Sequence, residues 1–354
     1  MSAIVDTPEE AAALDLPPLL VRRPLEAYLD AHGLGAGPVE AEPVGEGHSN
    51  ITYLIRRGDR EWVLRRPPRP PLPPSAHDVL REARLLTAVE GRRIRTPRVL
   101  LTCADDAVIG APFYVMEKVE GDVVTTQLPA ALDVPAERSR IAEELIDSLV
   151  EIHAVDWRAC GLEGYGKPSG YLDRQLRRFS GLWEHNKTRE VPELDEATAW
   201  LTAHRPDSPE ATIVHGDYRL GNTMFATGAP ARLVAIFDWE LATIGDPLAD
   251  VGYFTATYAA PGDPETTLFT LNRVTTLEGF PSREEIIARY EARSGRSMSD
   301  VRWYQTLALW KSAVFLEGSY KRLLAGTTDD PFFRLLDQGV PEIARHALAI
   351  AHGG

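Results

Sequence analysis

The chain has 354 residues, 44% of them hydrophobic and 25% charged, ordinary values for a globular protein and a length sufficient for two lobes. A net charge of −14 argues against nucleic acid or an anionic membrane as partner, since both need basic faces, although bound Mg²⁺ can still bring an anionic substrate to a site. Two cysteines, Cys103 and Cys160, are too few for a disulfide framework or a zinc site, and no run approaches the roughly 18 apolar residues of a membrane helix. The opening MSAIVDTPEE lacks the basic patch and apolar stretch of a signal peptide, so a reducing, cytoplasmic setting is expected.

Residues 1–20 show no sustained period and are expected to form a mobile tail. Leu25, Tyr28 and Leu29 then share one helical face before Gly33 ends the pattern, so 1–37 reads as a tail and a helix. Two strand-like runs follow, Ile51–Ile55 and Glu61–Arg65, joined at Gly58-Asp59. They predict a β-hairpin entered through the Gly-rich segment Gly45-Glu46-Gly47-His48-Ser49-Asn50. The proline-dense stretch 67–74 must be extended, a stiff connector or, as the rival reading, a PxxP ligand. Val79, Ala83 and Leu86 predict a helix over 78–89 that carries Glu82. Val99–Leu101 and Pro112–Met116 read as further strands, and from Pro135 the chain is mainly helical. The expected class is therefore α+β, with a small antiparallel-sheet lobe over 38–118 and a larger helical lobe over 119–354.

The segment His215-Gly216-Asp217-Tyr218-Arg219-Leu220-Gly221-Asn222 has the D-x-x-x-x-N spacing of a kinase catalytic loop. In that arrangement the Asp accepts a hydrogen bond from the attacking hydroxyl while the Asn carbonyl reaches a metal ion. The apolar run Leu233–Phe237 then delivers Asp238, a second hard oxygen ligand suited to Mg²⁺. Taken singly, each residue could instead cap a turn or a helix; their order between apolar strands argues for chemistry.

HGDYRLGN and IFDWELATIGDPLADVGY resemble the aminoglycoside phosphotransferase/choline kinase superfamily, whose members share the two-lobed protein-kinase-like fold. The resemblance runs from about residue 40 to about residue 325. It implies ATP and Mg²⁺ as cofactors, Asp217 as catalytic base, and Asn222 and Asp238 as metal ligands. It also implies that His215 braces the catalytic loop and that Asp250 structures it. Gly45, Gly47, Ser49 and Asn50 match the loop over the phosphates, Arg65 stands where the family has a strand-borne Lys, and Glu82 is the matching helix carboxylate. Backbone groups at Glu117 and Val119 match the hinge that holds adenine.

Two departures bear on function. Arg65 is a planar fork where the family has a point charge, and an Arg65–Glu82 contact is expected. The Leu-Arg-Arg-Pro-Pro segment resembles kinase-like domains fused to some acyl-CoA dehydrogenases, so the substitution need not abolish catalysis. The metal site reads Asp238-Trp239-Glu240 where kinases have Asp-Phe-Gly, and with Asp238 only twelve positions before Asp250 there is no long activation loop, which favours a small-molecule hydroxyl acceptor over a protein. The acceptor implied is a hydroxyacyl-CoA or a similar apolar-bodied metabolite; the alternatives are an aminoglycoside O-phosphotransferase and a nucleotide-binding pseudokinase. Oligomeric state is not legible. Lys311, inside the apolar run Leu307–Val314, either snorkels, pairs with Glu317 or meets an anionic substrate. His48, His153, His185 and His204 read as structural or surface residues.

Overall fold

The computed structural model describes residues 4–45, 50–70, 72, 77–263, 270–328 and 330–353. It resolves into two compact units, residues 1–92 with 96–120 and residues 93–95 with 121–354. The fold is α+β: the first unit is a small antiparallel-sheet lobe and the second a larger helical one.

In chain order the first unit contains β1 (Ile4–Val5), α1 (Pro8–Ala12), β2 (Leu20–Val21), α2 (Arg22–Ala31), β3 (Glu40–Val44), β4 (Ile51–Arg57), β5 (Arg60–Arg66), α3 (Val79–Ala88), β6 (Val99–Cys103) and β7 (Phe113–Glu117). The sheet order is β3-β4-β5-β7-β6, with antiparallel pairing throughout. Burial alternates along the central hairpin with the period of two that a pleated strand imposes: Tyr53, Ile55, Trp62 and Leu64 are buried. They join Leu19, Leu20, Leu25, Leu29, Phe113 and Val115 in one core. Because neighbours alternate faces, Arg66 belongs with Leu64 and Arg65 points the other way. That alternation sends two adjacent arginines to different tasks.

Residues 4–21 are not the mobile tail expected from their composition. β1 and β2 pair in parallel, and Leu19 and Leu20 are buried. Arg66, itself buried, donates to the carbonyls of Leu19, Ile109 and Pro67, and Arg69 donates to the carbonyl of Pro17 at 2.5 Å. These anchors come from residues far along the chain and leave no periodic trace within 4–21.

The second unit contains β8 (Asp122–Val123), α4 (Pro135–His153), α5 (Tyr171–Asn186), α6 (Pro192–Ala203), β9 (Thr212–Val214), β10 (Thr223–Phe225), β11 (Leu233–Ile236), β12 (Thr243–Gly245), α7 (Leu248–Thr257), α8 (Arg283–Ser294), α9 (Val301–Leu324) and α10 (Pro331–His352). Short antiparallel sheets, β11-β10-β8 and β12-β9, hold the segments between the helices in register. α9 is buried on most of its circumference and packs on α7 at Gly252, where an added Cβ would lie 2.5 Å from Tyr304. Among the described residues no helix is long and apolar enough to cross a membrane.

Candidate functional site

β9 ends at Val214, and the chain turns through His215-Gly216-Asp217 above the first turn of α7. Asp250 lies in that helical turn and is fully buried. Its Oδ2 accepts the His215 N–H at 2.7 Å, and its Oδ1 accepts the Gly216 N–H at 2.8 Å. His153 Nε2 adds a third contact to Oδ2 at 3.2 Å, while Tyr290 meets His153 Nδ1 at 2.7 Å. Burial by itself would raise the Asp250 carboxyl; the hydrogen bond and field of His153 and the Gly216 N–H outweigh it and hold the group below its ordinary range. Burial pulls the His153 pKa down, against the hydrogen bond and charge of Asp250, which raise it. Gly216 has φ of +90°, and a Cβ there would lie 2.9 Å from Leu241. Only glycine fits that turn.

His215 ties this turn to the following strand end. The Asp217 N–H donates to His215 Nδ1 at 3.2 Å, so Nδ1 carries no proton. The ring proton is then on Nε2, which donates to the Phe237 carbonyl at 2.9 Å. The Phe237 N–H in turn donates to the Asn222 carbonyl at 2.8 Å. The next residue, Asp238, adopts a left-handed conformation (φ 63°, ψ 57°), strained for a side chain with a Cβ by roughly 1–3 kcal/mol. Trp239 is buried and donates from its indole N–H to the Ile236 carbonyl at 2.9 Å.

Asp217 is the open carboxylate of the group. Its side chain keeps 24% exposure, whereas that of Asp250 keeps none. Asn222 Nδ2 donates to both the Asp217 carbonyl and Oδ2, each at 2.8 Å, and Arg219 Nε stands 3.6 Å from Oδ2. The Tyr253 hydroxyl also faces Asp217; burial first, then the charge of Asp217 and the hydrogen bond between them, push its pKa up. With Nδ2 consumed as a donor, Asn222 has its side-chain oxygen Oδ1 left for an acceptor's role. That oxygen and the Asp238 carboxylate are the hard donors Mg²⁺ favours, so the residues present fit the ion. Among the described residues no cluster of three or more His, Cys, Asp or Glu could hold a metal.

In the first unit, Arg65 Nε donates to Glu82 Oε2 at 2.9 Å, and Arg65 is 3.4 Å from Thr52 Oγ1. The Glu82 side chain is 1% exposed, and α3 holds it in its first turn behind the Asp78 N-cap. Gly45 has φ of +81° and Asn50 is buried; Gly47 and Ser49 lie outside the described residues, as does His48. The Glu117 N–H is already given to the Arg98 carbonyl at 2.9 Å. Of the backbone groups expected at the hinge, the Glu117 N–H is thus already paired, and Val119 is half-buried.

His153, read as structural or surface, is a buried brace. Tyr253, a partner of Asp217, escapes the sequence reading; its only trace there is its place one helical turn after Asp250. Lys311 does not pair with Glu317. That fully buried carboxylate accepts from Thr188 Oγ1 at 2.6 Å and Arg189 at 3.1 Å, on the far side of a helical turn that sequence spacing alone could not assign. The Lys311 ammonium instead stands 4.9 Å from the centre of the Phe179 ring.

Comparison with known proteins identifies the family and the fold. The model of the phosphotransferase enzyme family matches residues 40–286. The mouse acyl-CoA dehydrogenase family member 10 is 36% identical over 304 residues, 85% of this chain but 28% of that protein. The human family member 11 is 34% identical over 320 residues, 87% of this chain and 40% of that protein. The chain thus spans less than half the length of these relatives. A crystal structure from Ralstonia eutropha, named after the aminoglycoside phosphotransferases, superimposes with a TM-score of 0.79 at 32% identity, covering 93% of this chain and 97% of that one. A ternary complex of aminoglycoside phosphotransferase APH(4)-Ia with AMP-PNP and hygromycin B shares the fold at a TM-score of 0.62 and 17% identity, covering 94% of this chain and all of that one.

Proposed function

This chain belongs to the phosphotransferase enzyme family, a kinase-type enzyme acting on an alcohol, and on that premise we propose that it moves the γ-phosphoryl group of ATP to a small-molecule hydroxyl with Asp217 as base. The observation that carries the reading is the pairing of two carboxylates on one turn. Asp250 is spent on backbone N–H groups, while the Asp217 side chain stays 24% exposed and accepts from Asn222 Nδ2. The acceptor hydroxyl donates its hydrogen bond to Asp217, its oxygen attacks the γ-phosphorus, and the bond to the β–γ bridging oxygen breaks. Asp217 finally holds the proton and ADP leaves with the electron pair. Mg²⁺, held by Asn222 and Asp238, would supply charge neutralisation on the phosphates when bound. Arg65, oriented by Glu82, is assigned to the ATP phosphates; Gly45, Gly47, Ser49 and Asn50 to the loop over them; and Glu117 and Val119 to adenine. With so little covalent work, positioning supplies most of the rate.

For the acceptor we propose an apolar body, with hydroxyacyl-CoA esters as the class. Support comes from Leu241, 58% exposed against the Gly216 turn, and from Phe315, 62% exposed on α9. Similarity to relatives named for acyl-CoA dehydrogenases points the same way. A polycationic aminoglycoside would instead call for an acidic pocket. A pseudokinase would have no use for Asp217, Asn222 and Asp238 together. The test is ATP consumption with medium-chain hydroxyacyl-CoA esters beside kanamycin-type aminoglycosides. Saturable turnover of the esters is expected; turnover of the aminoglycosides alone would reverse the choice. Asp238→Ala should weaken Mg·AMP-PNP binding, measured by calorimetry, while unchanged affinity would remove Asp238 from the metal site.

A further inference from the structure

Five lysines occur in the chain, at 118, 167, 187, 311 and 321. Lys118 pairs with Glu61 and Glu120, Lys187 pairs with Glu184, Lys321 donates to the His185 carbonyl, and Lys167 is exposed. Lys311 differs from all of them. It sits in α9 between buried Trp310 and buried Ala313, and it makes no ion pair with any described residue. Its contact is the face of Phe179 on α5, at 4.9 Å. Arg178, next in sequence and exposed, approaches the same ring at 6.0 Å and likewise has no carboxylate partner among the described residues.

Burial pulls the Lys311 pKa down to about 8, with the negative field of Asp250 opposing and the positive field of Arg178 assisting. The side chain is nonetheless part-exposed. A half-buried cation without a counter-ion is costly unless a ligand supplies one, and the part-exposed ammonium remains open to such a ligand. Tyr304, two helical turns before Lys311 on α9, packs on Gly252, two residues from the Asp250 that shapes the turn. One helical turn further along α9, Phe315 offers an exposed apolar surface on the same face.

We propose that Lys311 and Arg178, set around the Phe179 ring, bind an anionic group of the phosphoryl acceptor and so select acceptors by charge. The proposal deepens the acceptor reading above and rests on it for the word acceptor, but its test needs no turnover. The shared chemistry is an anion, with the phosphates of a coenzyme A moiety or a free carboxylate as its source. Calorimetry on the full chain saturated with Mg·AMP-PNP would titrate coenzyme A, octanoate and neutral pantetheine into wild type, Lys311→Met and Lys311→Arg. Coenzyme A binding weakened at least about tenfold in Lys311→Met and largely kept in Lys311→Arg, with pantetheine unaffected, is the expected result. The same pattern with octanoate alone would sustain the proposal and assign the carboxylate. Absence of binding by both anions, or affinities indifferent to Lys311, would overturn it. So would equal losses for pantetheine. The melting temperature separates a fold effect: Lys311→Met should match or exceed wild type, because methionine removes an uncompensated charge at similar volume. If wild type binds these anions through Lys311 yet phosphorylates no hydroxyacyl-CoA, the acceptor class fails while this site stands.

Discussion

The two faces of the His215–Asp217 turn treat the same functional group in opposite ways. Beneath it, Asp250 has no exposure and accepts from two backbone N–H groups and His153. Above it, Asp217 keeps 24% of its side chain in the open and is oriented by one amide, with Arg219 and Tyr253 alongside. The lesson is a division of labour: a saturated carboxylate makes the loop's shape, and an unsaturated one stays open, where the proposed function puts the acceptor's proton. Mutations on the two faces should therefore fail in different assays.

Asp250→Ala gives the largest expected loss of stability, because it strands the His215 and Gly216 N–H groups in a dry interior at about 1–3 kcal/mol each. A melting temperature within a degree of wild type would contradict the buried role. Arg65→Ala should cost about 3 kcal/mol, since it leaves a carboxylate of 1% exposure without its guanidinium. Adding Glu82→Gln should restore most of that stability in denaturant titrations while turnover stays low; recovery of turnover as well would remove Arg65 from phosphate binding. Gly252→Ala should cost about 1–3 kcal/mol through its Cβ, 2.5 Å from Tyr304, and slow transfer only in proportion to unfolding.

The smallest effect expected is pH dependence from His153. The folded state refuses a proton at this buried ring, whereas the unfolded chain takes one up below its ordinary pKa of 6.5. Stability should therefore fall as pH drops below that value, by at most about 1.4 kcal/mol per pH unit from this group. Melting scans from pH 7.5 to 5.5 should show a shallower slope in His153→Gln, and an unchanged slope would assign the proton uptake elsewhere.

Much of this was legible in the sequence for definable reasons. α9 (Val301–Leu324) lies in the stretch after Pro135 that was expected to be mainly helical, and no proline interrupts it. The β4–β5 hairpin was announced by alternation around Gly58-Asp59, and the Arg65–Glu82 contact follows from a strand residue opposing a helix residue. β3 was not foreseen: Glu40–Val44 is largely exposed, contains Pro43 and has no alternation to read. The order in residues 4–21 depends on Arg66 and Arg69, and the role of His153 depends on α4 meeting α7. Such convergence exists only in three dimensions. Lys311 stood out as a charge in an apolar run, but sequence alone pointed to Glu317 no less than to a ligand.

The most direct measurement is mass spectrometry of a metabolite extract incubated with Mg·ATP and either wild type or Asp217→Asn. Wild type should generate a species heavier by one phosphoryl group. Asp217→Asn should form it at least about a hundredfold more slowly, with Mg·AMP-PNP affinity and melting temperature close to wild type. A near-normal rate in Asp217→Asn would contradict the assignment of the base and, with it, the division of labour between the two carboxylates.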